Sequence, residues 1–421
     1  MNIPMRFENV LRVCALGAAL LAGCSDDTVS YANPADAGWW SPRALRWESA
    51  DGGTSGYAFV TNSLMNSVSI LDLASRTTLA TVPVAVTPLA ENGPHHLAVD
   101  VRAGAVYMPL SFPAQSIASG PHAAHGSSRV PGVFIKRSLD DFHLIGRVDV
   151  DPNPGEMVVS PDGRRAFVSH YDLVRAQSNP GNRDAQRSNL VVIDTRTMQR
   201  EFTVPLCVAA HGMVVSPDGQ TVYVACYGED ALAVVSFVGA RPTVDLVPIQ
   251  NMLAADPTSP TWGPYAVTGS PDGRTVWIGC SPPNASAGNR GLLIAFDTAT
   301  RRFDTTRATM SLLGTPYFGA YSRDGNSMVV PLQGRDGLVR VTTAAPFRVL
   351  DMVLFTSQQC VLPHVIARGP DERFYLVCEG VHDRVRQEPG AVLALNPDDL
   401  SIEARFPVGV FPDAIVFMGR R

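Results

Sequence analysis

The sequence predicts an all-β chain of seven repeated sheets closed into a ring, a seven-bladed β-propeller. Three observations carry this. A four-residue turn signature recurs through the 421 residues, each copy is flanked by short apolar runs, and strand counting balances only if the two chain ends share one sheet.

The turn is Ser-Pro-Asp-Gly at 160–163, 216–219 and 270–273, with degenerate copies at Ser322-Arg323-Asp324-Gly325 and Gly369-Pro370-Asp371-Glu372. Pro in the second place and Gly in the fourth suit a type I turn. An apolar run precedes each copy and an alternating run follows it, as in MVVS before 161 and AFVSHY after 165. That pattern reads as a hairpin. A third run closes near Asp72, Asp194 or Asp297, and a fourth leads into the next copy. These aspartates recur with the repeat and are expected to fix turns.

The first turn positions are Asp100, Ser160, Ser216, Ser270, Ser322, Gly369 and Met418, spaced 60, 56, 54, 52, 47 and 49 residues apart. Seven first strands and seven second strands follow from them. The earliest second strand, YAFVTN at 57–62, has no first strand upstream, and the run 412–418 has no second strand downstream. Pairing the C-terminal strand with the N-terminal blade satisfies both and leaves no long free edge. A β-sandwich would not produce seven equivalent turns.

The motif Phe59-Val60-Thr61-Asn62 and the repeats over about 57–421 resemble the YVTN-type β-propellers, including periplasmic YncE-type proteins. More distantly the chain is similar to propeller lactonases, the heavy chain of methylamine dehydrogenase and the propeller of haem-d1 nitrite reductase. The resemblance implies the fold, and it spans a functionally diverse group.

Composition agrees. Hydrophobic residues make up 45 %, charged residues 17 % and the net charge is −5, which excludes wholesale disorder and argues against a nucleic-acid partner. Lys136 is the one lysine beside 33 arginines, a bias expected of a GC-rich genome.

Residues 1–23 read as a lipoprotein signal peptide. Arg6 and Arg12 precede an apolar run too short to span a bilayer, and Leu21-Ala22-Gly23-Cys24 resembles the bacterial lipobox, with Cys24 as the lipidated residue. Ser25 then favours the outer membrane over the inner by resemblance to known sorting rules. Residues 24–55 form a polar leader with Trp39, Trp40 and Trp47, expected to pack on the outside of the domain or at the membrane interface. Residues 56–421 form the propeller.

In such a ring the loops entering the innermost strands share a face with the loops leaving the second strands. Insertions near 111–131, 172–188, 282–290 and 381–389 gather there, carrying His122, His125, Arg175, Arg183, Arg187, His382, Arg384 and Arg386. Five residues before each turn anchor stand His95, Gly155, His211, Tyr265, Tyr317, His364 and Asp413, expected at the mouth of the central channel. His95, His211, Tyr265, Tyr317, His364 and Asp413 form the candidate ligand site. Of these, His95, His211, His364 and Asp413 have the chemistry of copper, iron or zinc ligands, and the same groups suit a sugar-like or anionic ligand or acid–base work. The alternative is that they only bond neighbouring backbone, as Pro-His and Pro-Tyr do in YVTN-like repeats. His96 and Glu156, one residue on, are expected to face the other way.

Cys207 and Cys360 each lie four residues before a mouth histidine, and Cys226 and Cys378 end second strands 19 and 18 residues later. In an oxidising envelope they suit disulfides Cys207–Cys226 and Cys360–Cys378, leaving Cys280 as a buried thiol. No nucleophile elbow, P-loop, Rossmann fingerprint, zincin motif or EF-hand loop is present. The functional expectation is therefore a lipid-anchored envelope propeller that binds a protein or small ligand through its loop-rich face. A metal-dependent oxidoreductase, a lactonase-like hydrolase and an accessory to envelope redox proteins are the alternatives.

Overall fold

The computed structural model describes residues 56–87, 90–113, 126–249, 262–281, 290–303, 309–382 and 386–418. They form seven separate antiparallel sheets of four or five strands. Six sheets run in chain order outward from inner strands at Ala98–Asp100, Pro154–Val159, Ala210–Val215, Pro264–Gly269, the split pair Thr315–Pro316 and Ala320–Tyr321, and Pro363–Arg368. The seventh is composite. Its inner strand Pro412–Met418 pairs antiparallel with Tyr57–Asn62, from Tyr57↔Met418 to Asn62↔Pro412, and Ser67–Asp72 and Thr77–Pro83 lie outside it. The chain is thus a seven-bladed β-propeller whose ends share one blade, as strand counting requires.

Burial follows strand position. Second strands such as Tyr57–Asn62 and Ala105–Leu110 are buried throughout, because neighbouring blades cover both of their faces. Outer strands such as Thr243–Pro248 alternate towards solvent. The apolar clusters lie between blades: one joins Phe167, Leu190 and Val192 to Val222, Val224 and Ala233 of the next blade. Near the axis the inner strands almost touch. A Cβ built on Gly212 would stand 2.4 Å from the Tyr265 carbonyl oxygen, so glycine sets that spacing.

The repeated turn is held by its own side chains. Ser160 Oγ donates to Asp162 Oδ1 at 2.6 Å and accepts the Arg165 amide, and the Ser216, Ser270 and Ser322 copies do the same. Gly163 closes it at φ +74°, a conformation that favours glycine, and Glu372 takes φ +70° in the degenerate copy. Asp72, Asp194 and Asp297 accept backbone amides two or three residues on, so their role is the turn.

Both expected disulfides are present. Cys207–Cys226 and Cys360–Cys378 each tie the chain leaving one blade to the second strand of the next, and Cys280 is a free, buried thiol. The signal peptide, Cys24 and the leader tryptophans, like His122, His125 and Arg384, lie outside the described residues. Among the described residues no helix is long and apolar enough to cross a membrane.

Candidate functional site

Three of the six expected site residues meet directly. Asp413 lies between two imidazoles: Oδ2 contacts His95 Nδ1, and Oδ1 is 2.8 Å from His364 Nδ1. His211 stacks on Tyr265 with ring centroids 3.7 Å apart and meets His95 at 5.8 Å. Tyr265 packs on Tyr317 at 5.4 Å, and Tyr317 on His364 at 4.9 Å. The six therefore form one continuous cluster.

Each enters at or just before an inner strand, and all but His211 directly follow a proline. The hydrogen bonds there run both between blades and within the closing blade. Thr61 Oγ1 donates to the His95 carbonyl at 2.6 Å and accepts the Ala414 amide, and Ser169 Oγ donates to the His211 carbonyl at 2.6 Å. Ser63 Oγ donates to the Pro94 carbonyl and lies 3.4 Å from Asp413 Oδ2.

Two expectations are corrected. The cluster does not sit at an open mouth. His95, His211, His364 and Asp413 are 0 % exposed. Phe318 occupies the axis, with its ring 5.8 Å from His364, 6.3 Å from His211 and 5.7 Å from His96. Leu173 and Ala176, from the short helix Leu173–Ser178 in the second-to-third-strand insertion, pack on the adjoining apolar cluster that contains Tyr171, Tyr265, Tyr317 and Phe318. His96 and Glu156 also do not face away. They lie 3.3 Å apart, with His96 against His95, and Glu156 Oε2 accepts the Met213 amide of the next blade. The reason is a one-residue register shift at the strand entries, between Pro94↔Leu110 and Ala98↔Tyr107 and again between Pro154 and Met157, which breaks strict alternation.

Sequence reasoning missed Glu379 as a site residue and read His382 only as a loop histidine. Glu379 is fully buried. Its Oε2 lies 2.6 Å from His382 Nε2, its Oε1 accepts from Gln333 Nε2 at 2.9 Å, and the same oxygen is 3.6 Å from His364 Nδ1. Its place directly after Cys378 was a usable signal. Tyr171 was missed too, and it stands edge-on to His211 and Tyr265.

Burial governs the charges. It lowers the His96 pKa to about 3, with His364 adding to the effect, and raises Glu156 well above the usual carboxylate range against the opposing Met213 amide. Both shifts favour neutral forms, so this is a neutral hydrogen-bonding pair rather than an ion pair. Burial, then the neighbouring tyrosines and Glu379, push Tyr265 up, and burial, then Glu379, does so for Tyr317, so both keep their hydroxyl protons. Among the described residues no group of three or more His, Cys, Asp or Glu is arranged to hold a metal ion. Of the four expected ligands, His211 is turned onto Tyr265 while the other three converge.

Fold and site together define a seven-bladed propeller with a buried axial cluster of imidazoles, carboxylates and phenols. The periplasmic gluconolactonase of Pseudomonas aeruginosa has the same architecture: the match covers 87 % of this chain and 99 % of that one, at 17 % identity and a TM-score of 0.59. A putative 6-phosphogluconolactonase of Bacteroides uniformis matches over 87 % and 100 %, at 13 % identity and a TM-score of 0.58. Hydrazine synthase of Kuenenia stuttgartiensis matches over 76 % and 88 %, at 15 % identity and a TM-score of 0.53. Identities this low show a shared fold. No family model and no curated protein matches the chain.

Proposed function

We propose that this chain is a binding propeller of the bacterial cell envelope, tethered through Cys24, that takes a small neutral ligand bearing hydroxyl or carbonyl groups on the loop-rich face above its buried axial cluster. The observation that carries this is Asp413, fully buried between His95 and His364. Apolar side chains of similar volume would hold seven blades together without the cost of desolvating a carboxylate. Titratable groups gathered at the centre of a ring are the signature of a site. The protonated phenols of Tyr265 and Tyr317 supply donors and acceptors without added charge, which suits a polar but uncharged ligand.

A lactonase-like hydrolase is the second reading. The 2.8 Å contact orients His364 so that a proton on Nδ1 faces Asp413 and Nε2 is left as the basic nitrogen, the arrangement of a general base. The gluconolactonase-like neighbours favour the same reading.

Calorimetric titration with an aldonolactone, its hydroxy acid and neutral sugars, with acid release followed in parallel, tests both. Saturable binding that His364→Ala abolishes supports the binding site. Steady acid production from the lactone, absent in that variant, selects the hydrolase. No heat and no thermal shift with any of these compounds refutes the ligand class.

A further inference from the structure

The two disulfides occupy equivalent places in the ring but different surroundings. Cys207 and Cys226 are wholly enclosed by a cluster containing Phe167, Leu206 and Val224. Cys360 and Cys378 are buried too, each 2 % exposed, but they line a surface cleft of about 250 Å³, together with Gln359, Gly380, Glu388 and Arg405. The second bridge therefore forms part of the wall of a cleft, whereas Cys207 and Cys226 are 0 % exposed.

The cleft-lining bridge also holds the site. Glu379 follows Cys378, and its amide donates to the Leu362 carbonyl at 3.1 Å, while the Gly380 amide donates to Val361 at 3.2 Å. The disulfide thus clamps 360–362 against 378–380, the stretch that aims Glu379 at His364 and His382.

We propose that Cys360–Cys378 is a thiol–disulfide exchange site for a dithiol reductant, and that opening it loosens the hold of Glu379 on the axial cluster. A thiolate of the reductant bonds to one cysteine sulfur, the S–S bond breaks and the other cysteine leaves as thiolate. The second thiolate of the reductant then displaces the first sulfur. The products are two protein thiols, which take up the two protons given up by the reductant, and an oxidised reductant, with two electrons transferred. The exchange stands on the cleft alone. Its consequence for binding rests on the axial site proposed above.

The test is graded dithiothreitol on the folded, full-length protein, with alkylation and peptide mapping of the trapped thiols. Cys360 and Cys378 are expected to be modified at reductant concentrations at least about tenfold below those that open Cys207–Cys226, with the circular dichroism unchanged. Simultaneous opening of both bridges, or earlier opening of Cys207–Cys226, overturns the proposal. In the selectively reduced protein the imidazole NMR signals of His364 and His382 should move while that of His170 stays. Signals left in place overturn the coupling to the axis. Neither readout needs a ligand, so failure of the binding reading is seen separately.

Discussion

Nδ1 of His364 lies 2.8 Å from Oδ1 of Asp413, although 49 residues separate the two in the chain. His364 opens the inner strand of the last complete blade, and Asp413 opens the strand that completes the first. The same pairing that closes the ring therefore delivers the carboxylate to the axis.

Replacing Asp413 by Asn should reveal how strongly the fold depends on this contact. The variant replaces the carboxylate that both imidazoles face by an amide, and leaving a buried polar partner unsatisfied costs about 1–3 kcal/mol. Urea unfolding followed by circular dichroism should show a midpoint shifted down with an unchanged slope. An unchanged midpoint would mean that the carboxylate is uncharged or replaceable by an amide in the folded state.

Deleting residues 412–421 should abolish cooperative folding. The deletion strips Tyr57–Asn62 of its inner partner and exposes an edge that the ring covers. The expected outcome is a broad thermal transition and concentration-dependent aggregation. A truncated protein that melts as sharply as the full chain would contradict the closure.

Acid stability should carry a term from His170. Its Nδ1 is 2.8 Å from the Asn189 carbonyl, and burial lowers its pKa to about 4, against the opposing effects of Asp151 and that carbonyl. Between the ordinary histidine pKa of about 6.5 and this value the unfolded chain binds the extra proton and the folded chain does not. Stability should therefore fall as pH drops through this window and level off below it, by on the order of 3 kcal/mol. His170→Gln should flatten that part of the curve when unfolding free energy is measured against pH.

Cys280 should be inert in the native protein. Burial pushes its thiol far above the ordinary range, so the thiolate that alkylating reagents need is not populated. Iodoacetamide should label it after denaturation and leave it unlabelled before. Rapid native labelling would place it in a more open environment than the cluster of Ile278, Leu292 and Ile294 that encloses it.

The repeat alone determined the architecture. Recurrent turns, the strand count and the unmatched runs at 57–62 and 412–418 fix seven blades and a shared one, because a propeller is built from local hairpins whose signals are local. The cysteine spacing was legible for the same reason, since equivalent positions in successive repeats occupy equivalent places. Tertiary structure decided the depth and membership of the axial cluster. Glu379 and Phe318 reach the axis from outside the counted position, and His96 and Glu156 join it through a register shift at the strand entries, which periodicity over a few residues does not encode. Which of two equivalent disulfides meets a cleft depends on how neighbouring blades and insertions pack, a property of the closed ring rather than of any one repeat.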